Sequence, residues 1–466
     1  MATDNNNNRL TENKRRNKLN RDNVTKLLVV LVDILLINAS YVAAFYIRFA
    51  QEVRLTGRLP MFNYEPFLVA IPFITLSSLV YIDVFGLLKF YRKSRRAIMS
   101  SIMKLVMMQA LTTTAITYFM YYSSFPRSVL ITTPIIQAVA LVVWNWVMLV
   151  MQEKSTVTSS VMIIGKEAQE KELSDKLGQG PLAGGMEVKY RFHPQDRDTC
   201  LKCIKKVDEV LICSDLSEDF KMEIILICMD RRKVAWLVPE VFEIALLSTR
   251  IVHFGDMPLL MADSFSLTVE QRFFKRAFDL IASLLSMPLM LPLFGVIALV
   301  IKLGSPGAVF YRQDRVTAGG RIFRIFKFRT MYDDAESETG PVLSHKGDER
   351  VTPAGRFLRR YRLDEFPQLF NVIKGDMSLV GPRSERPYFV EQYVKSIDGY
   401  SIRNTVRAGI TGYAQIFGNY DTSAEHKLKY DLIYIKNYSL LLDIKLILQT
   451  VNVILMGQGD GSPPTR

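Results

Sequence analysis

The sequence predicts three parts: a membrane α bundle, a small α/β domain, and a second α/β domain, mostly helical, that carries a re-entrant membrane helix of its own. Four long apolar runs occupy the first third of the chain. Short apolar runs separated by helical stretches follow, and a fifth apolar run containing prolines opens a segment dense in paired charges. Of 466 residues, 49% are hydrophobic and 23% charged, too apolar for a wholly soluble chain and too charged for one wholly in lipid. The net charge of +13 suits phosphate-rich partners. Beside membrane segments these are anionic lipids and nucleotides rather than nucleic acid.

Residues 1–24 are Asn-rich and basic with no apolar periodicity, and read as a disordered tail. Residues 25–152 read as a four-helix transmembrane bundle with spans at 27–49, 66–88, 98–122 and 129–151, each near the roughly 20 residues that cross the hydrocarbon. The basic run at 89–96, set against a nearly neutral 122–127, places both ends of the bundle in the cytoplasm. Arg48, Arg54 and Arg58 count against that orientation. Asp33, inside the first span, is either a functional intramembrane carboxylate or one satisfied within the bundle.

Residues 158–256 alternate strand-like and helical stretches, with strands expected at 160–165, 209–213 and 250–254, which suggests a small parallel Rossmann-like domain. A dinucleotide turn needs glycines so that backbone amides approach a pyrophosphate. Here Gly165 is followed by Lys166, Glu167 and Ala168, so no cofactor is expected in this domain. Cys200, Cys203, Cys213 and Cys228 lack the paired spacing of a zinc site and read as reduced thiols.

The fifth apolar run, 277–301, is long enough to span, but Arg272, Lys275 and Arg276 precede it and Lys302, Arg312 and Arg315 follow it. Both flanks look cytoplasmic. Pro288 and Pro292 near its middle predict a helix break that returns the chain to the same leaflet. A kinked spanning helix is the alternative, and would carry everything after it outside.

From 268 to 466 the chain reads as one domain. A hairpin is expected around 317–320, with Lys327 and Arg329 on one strand face. Thr352-Pro353 has the N-cap pattern of a helix running to Arg360, which brings Arg359 toward the next element. Phe366, Leu369, Phe370 and Ile373 form a helical stripe ending at Gly375, so Asp364 and Glu365 fall at a helix N-terminus. Capping explains such a pair as well as nucleophilic attack on phosphorus does. Arg383 and Arg386 on a Gly-Pro turn, with Arg403 and Arg407 nearby, favour phosphate binding.

Phe274 to Asp279, Lys327 to Met331, Leu363 to Glu365, Lys374 to Arg383 and Gly409 to Gly412 together resemble the catalytic domain of bacterial polyprenyl-phosphate phosphoglycosyl transferases. This is the monotopic superfamily that starts capsule, exopolysaccharide and glycoconjugate assembly. The match covers 272–457, and the bundle and α/β module are similar to those of the larger members. The resemblance implies transfer of a sugar phosphate from a UDP-sugar to undecaprenyl phosphate, with glucose or galactose the best guess for the sugar. Asp364 would be the nucleophile and Glu365 its partner in metal or proton handling. Lys327, Arg359 and Arg383 would lie around the phosphates, Arg407 would lie near the substrate, and Asp364 and Glu365 would hold Mg²⁺; the strand face and the Gly-Pro turn add Arg329 and Arg386 as substrate-binding candidates. It further implies a multi-pass protein of the bacterial inner membrane with a cytoplasmic catalytic domain, downstream glycosyltransferases as partners, and leaves a homodimer open. Ser384, Ala408, Thr317 and Leu291 depart from the family's usual residues, and Pro288 is an extra proline, but no charged catalytic group is lost. Two rival readings fit the residues less well. A membrane-anchored sugar-nucleotide dehydratase needs a Tyr-x-x-x-Lys pair that the chain lacks, and a non-catalytic assembly scaffold predicts erosion of the acidic pair and its arginines, which are intact.

Overall fold

The computed structural model describes residues 27–57, 61–87, 95–119, 125–153, 159–179, 186–247, 249–332, 348–418 and 422–455. The expected tail at 1–24 and residues 89–94 of the basic loop lie outside them. The chain forms two compact units, Met1–Val238 and Pro239–Arg466.

Among the described residues the first unit has four long helices ahead of its sheet, α1 (Leu27–Arg48), α2 (Met61–Val84), α3 (Arg95–Phe119) and α4 (Arg127–Glu153). Helices α1, α2 and α4 contain stretches long and apolar enough to cross a membrane. Helix α3 has the length but is more polar, because it carries Gln109, Thr112 and Thr113 toward its neighbours. The Tyr41 and Thr113 hydroxyls share a hydrogen bond of 2.5 Å, those of Tyr81 and Thr112 one of 2.6 Å, and Ser77 donates to Gln109 Oε1 at 3.2 Å. Asp33 is wholly buried and accepts from Asn145 Nδ2 at 3.3 Å. Its Oδ2 and Asn145 Oδ1 have no partner among the described residues. Asn145→Leu removes the donor to a buried carboxyl, whereas Asp33→Asn keeps a group of the same shape. Asn145→Leu is therefore expected to lower the thermal stability of the detergent-solubilised protein more than Asp33→Asn does.

After the bundle, β1 (Ser159–Ile164), β2 (Met186–Phe192), β3 (Glu209–Ile212) and β4 (Val234–Leu237) form a parallel sheet in the order β2-β1-β3-β4. The two central strands are buried on both faces, which is why they read as continuous apolar runs. Val161, Ile163 and Leu211 pack one way against Leu173 and Leu177 of α5 (Glu167–Gln179), while Met162, Ile164, Val210 and Ile212 pack the other way against Phe220 and Ile224 of α6 (Glu218–Asp230). The strand expected at 250–254 does not join this sheet. It pairs antiparallel with β6 (Met257–Met261) as β5 (Arg250–Phe254), because Gly255 at φ 64 turns the chain straight back. At the head of β1, Gly165 lies so close to β3 that an added Cβ would sit 2.5 Å from Cys213 Sγ. The next amide, of Lys166, donates to Asp215 Oδ2 at 2.9 Å.

In the second unit, α7 (Val269–Gly304) is one unbroken helix of 36 residues, with Pro288 and Pro292 inside it. The expected helix break is not present. Each proline removes one amide hydrogen bond, but packing of Phe294, Ile297 and Ile301 on Phe328 and Leu358 holds the following turns helical. One stripe of α7, from Lys275, Asp279 and Ser283 to Ile297 and Ile301, is buried against the domain, while Ile281, Leu285, Leu289, Val296 and Leu299 are exposed. Its first half is pinned by Lys275 Nζ on Asp443 Oδ2 at 2.6 Å and by Arg276, which donates to the Val372 and Ile373 carbonyls at 2.6 and 2.9 Å.

The hairpin β7 (Phe310–Val316) and β8 (Ile322–Phe328) turns through Gly319 and Gly320, both at positive φ. Helix α8 (Pro353–Arg360) starts as expected, with Thr352 Oγ1 accepting from Gly355 N at 3.0 Å. The next segment differs from expectation. Leu363–Gln368 is a 3₁₀ turn, and the α-helix begins only at α9 (Leu369–Lys374), stopped by Gly375 at φ 95. Its buried face is Leu369 and Val372, whereas Phe370 is exposed. Strands β9 (Ser378–Val380) and β10 (Gly409–Thr411) pair in parallel, and α11 (Ala424–Lys436) and α12 (Leu440–Leu455) complete the core with Leu428, Leu432, Tyr434 and Leu446.

Candidate active site

Asp364 and Glu365 occupy the first turn of the 3₁₀ segment and are 8% and 7% exposed. Arg362 just before them takes a left-handed conformation, φ 51 and ψ 23, which reverses the chain out of α8 and aims both carboxylates back at the β7–β8 hairpin. Lys327 reaches them from the strand face that also buries Phe323 and Ile325, and its Nζ lies 2.9 Å from Glu365 Oε1. Arg383 Nη1 approaches the same oxygen at 3.3 Å. Arg383 is set there by close backbone contact between its loop and β10. An added Cβ on Gly409 would meet Gly381 N at 2.1 Å, so neither residue of that contact has room for a side chain.

These neighbours split the two carboxyls. Burial pushes Asp364 above the usual carboxylate range and the charge of Glu365 adds to this, against the opposing pull of Lys327, Arg359 and Arg383. Burial acts on Glu365 in the same direction, but Lys327, Arg383 and Arg362 outweigh it and hold Glu365 well below that range. Glu365 is thus the fixed anion and Asp364 the one whose charge state is open to change.

The remaining expected residues separate. Arg359 donates from Nε to Thr330 Oγ1 at 2.9 Å, with its charge felt by Asp364. Arg386 stands before α10 (Pro387–Ser396), where its charge acts on Arg315. Arg329 is not brought to the pair. It is 5% exposed and donates to the carbonyls of Pro306 and Ser305 at 2.5 and 3.0 Å, tying the end of α7 to the hairpin. Arg407 lies instead beside Arg276, Asp279 and Arg321. Arg403 is internal. It holds Asp431 Oδ2, the Tyr400 hydroxyl and the Arg383 carbonyl at 2.9, 2.7 and 2.9 Å.

A small cleft beside the pair is lined by Arg315, Lys327, Glu365, Gln368, Arg383 and Gln415. Sequence reasoning missed Arg315 as a site residue, although a signal existed. With the hairpin turn fixed, Arg315 pairs with Phe323 and Lys327 with Tyr311, so period two puts both cations on one face. No three His, Cys, Asp or Glu gather to hold a metal by themselves among the described residues. Two adjacent hard carboxylates do fit Mg²⁺, which is commonly held by one or two carboxylates together with substrate phosphates.

Residues 270–457 match the family described as Bacterial sugar transferase. A "UDP-glucose:undecaprenyl-phosphate glucose-1-phosphate transferase" of Caulobacter vibrioides is 41% identical over 188 residues, covering 39% of this chain and 69% of that protein. The chain belongs to the bacterial sugar transferase family. Longer relatives of the family match too. The "UDP-N-acetylgalactosamine-undecaprenyl-phosphate N-acetylgalactosaminephosphotransferase" of Aeromonas hydrophila is 45% identical over 190 residues, 40% of this chain and 45% of the relative. A protein of Xanthomonas campestris pv. campestris, carrying the same name as the Caulobacter protein, is 33% identical over 323 residues, 64% of this chain and 66% of the relative. Against the Aeromonas relative the matched segment thus spans about half the length. The carboxylate pair, Lys327, Arg383 and the arginines around them all lie inside the family's matched segment.

Proposed function

We propose that the protein transfers a sugar 1-phosphate from a UDP-sugar to undecaprenyl phosphate, as the first membrane step in building an exopolysaccharide, capsule or related glycan. The observation that carries this reading is the buried carboxylate pair in a cationic cleft, where a dianionic diphosphate neutralises what the fold leaves positive. A carboxylate Oδ of Asp364 attacks the β-phosphorus of the donor. The bond from phosphorus to the bridging oxygen breaks, UMP leaves with that electron pair, and the sugar phosphate remains on Asp364. An oxygen of the lipid phosphate then attacks the same phosphorus, forming the lipid diphosphate sugar and returning Asp364 as a carboxylate. Lys327 and Arg383 hold Glu365 ionised beside the nucleophile, and Arg359 biases Asp364 toward its charged form. Mg²⁺ on Asp364, Glu365 and the diphosphate would supply charge neutralisation.

The sheet β2-β1-β3-β4 serves in this reading as a Rossmann-like scaffold with no nucleotide, since Asp215 already accepts from the amide that a phosphate would use. Helix α7 attaches its domain to the cytoplasmic leaflet of the inner membrane, without the break that a re-entrant path would need. Support comes from its buried residues, Lys275, Asp279 and Ser283 in the first half and Phe294, Ile297 and Ile301 in the second, which keep both halves on the same domain, with exposed apolar residues left for lipid.

The test is UMP release by the full chain with undecaprenyl phosphate and Mg²⁺, across UDP-glucose, UDP-galactose and UDP-N-acetylgalactosamine. Sustained turnover is expected with one of them, dependent on the lipid, abolished by EDTA and restored by Mg²⁺. Without the lipid, release is expected to stop at about one UMP per protein; sustained lipid-independent release, or none with any donor from a folded protein, would sink the proposal.

A further inference from the structure

Two guanidinium groups beside the pair are held in ways that internal contacts do not account for. Arg362 is one of two non-glycine residues at positive φ among the described residues. Long side chains rarely take that conformation, and where it persists at a site it points to a role there. Its Nη2 donates to the Gln415 carbonyl at 3.1 Å, yet its Nη1 is buried with no acceptor among the described residues. Arg315 is similar. Its Nη1 donates to the Ser384 carbonyl at 3.1 Å and lies 3.8 Å from Glu385 Oε2, and its Nη2 donates to Gln313 Oε1 at 2.8 Å, while Nε is buried with no acceptor among the described residues. A buried charged donor without an acceptor is costly, and native structures keep few of them.

The local charge balance points the same way. Arg315, Lys327, Arg359, Arg362 and Arg383 act on one another and on Asp364, Glu365 and Glu385. The positive charge is in excess. An entering anion supplies both groups with the acceptor and counter-charge that the fold leaves missing. Arg315 lines the cleft itself, whereas Arg362 stands at the turn that delivers the carboxylates.

We propose that Arg315 and Arg362 bind the diphosphate of the donor nucleotide, one from the β7 wall of the cleft and the other from the turn before the pair. The proposal rests on the transferase reading and names two ligands for its substrate. Both guanidinium forks match phosphate oxygens, which a lysine ammonium does not reproduce.

The experiment measures equilibrium binding of UDP to the full chain in lipid nanodiscs, alongside thermal stability and the kinetics of UMP release. Arg362→Gly is the informative variant, because glycine takes positive φ freely while the guanidinium is removed. It is expected to weaken UDP binding roughly tenfold or more without lowering the melting temperature, and to raise KM for the UDP-sugar more than it lowers kcat. Arg315→Lys is expected to weaken UDP binding in the same direction while keeping the charge. Three results would overturn the proposal. One is unchanged UDP binding in both variants, and another is weakening that merely follows a fall in melting temperature. The third is a raised KM for undecaprenyl phosphate with UDP binding intact, which would assign these arginines to the lipid phosphate. If the wild type releases UMP normally while the variants bind UDP as it does, only this inference fails. If the wild type neither binds UDP nor releases UMP, the transferase reading fails with it.

Discussion

Asp364→Asn is expected to reduce UMP release by roughly four orders of magnitude while leaving the melting temperature close to that of the wild type. The amide is nearly isosteric with the carboxyl, and Glu365 keeps its contacts with Lys327 and Arg383, so the local fold has no reason to change. What disappears is the oxygen nucleophile. Glu365→Gln should behave differently, because it leaves Lys327 and Arg383 facing a neutral group in a largely buried setting. It should lower stability as well as rate. The two carboxyls are also separable by pH. An attacking Asp364 must be ionised, and burial raises its pKa, so kcat/KM should fall on the acid side with a midpoint above the ordinary carboxylate range. Lys327→Met removes a charge that favours ionisation and should move that limb to still higher pH. An acid limb below the ordinary range would instead identify Glu365, whose environment holds it low, as the group that must be ionised.

How much of this was legible beforehand depended on how local the governing physics is. The Thr352 cap, the turn at Gly319 and Gly320, and the stop at Gly375 are set by the residues' own backbone preferences, and all three stand where the sequence puts them. The carboxylate pair was legible as a pair, but not the 3₁₀ turn that presents it, because the reversal comes from Arg362 in a conformation that its residue type disfavours. Strand periodicity put Lys327 and Arg329 on one face without separating their roles. Two residues along β8 is far enough for one to meet Glu365 and the other to meet the end of α7. Likewise, 250–254 has strand composition, and composition does not say which sheet a strand joins. Pro288 and Pro292 predicted a break from the loss of amide hydrogen bonds. The packing of α7 on the hairpin, invisible in one segment's sequence, outweighs that loss.

The largest effect away from the carboxylates is expected at Arg403, which the sequence grouped with phosphate ligands. Its guanidinium is 4% exposed and joins Asp431, itself 1% exposed, to the backbone that carries Arg383. Arg403→Met leaves the Asp431 carboxyl buried without its counter-charge, and should cost roughly 3–5 kcal/mol of stability near neutral pH. The loss should depend on pH in a defined direction. Burial raises Asp431 to about 6 even with Arg403 opposing it. A carboxyl raised above its unfolded value contributes its full stability below that unfolded value and loses it as pH rises through the folded one. In the wild type that loss ends near pH 6, as the folded-state pKa of about 6 is passed. Without Arg403 the folded value rises further, so the variant keeps losing stability at higher pH while the wild type does not. The gap in melting temperature between the two should therefore be wide at pH 8 and narrow at pH 5. Asp431→Asn in the same background should close much of it, because no buried charge is then left to titrate. UMP release should stay impaired in that double variant, since the Arg383 carbonyl still lacks the guanidinium that fixes it. Recovery of both stability and rate together would mean that Arg403 serves only the core.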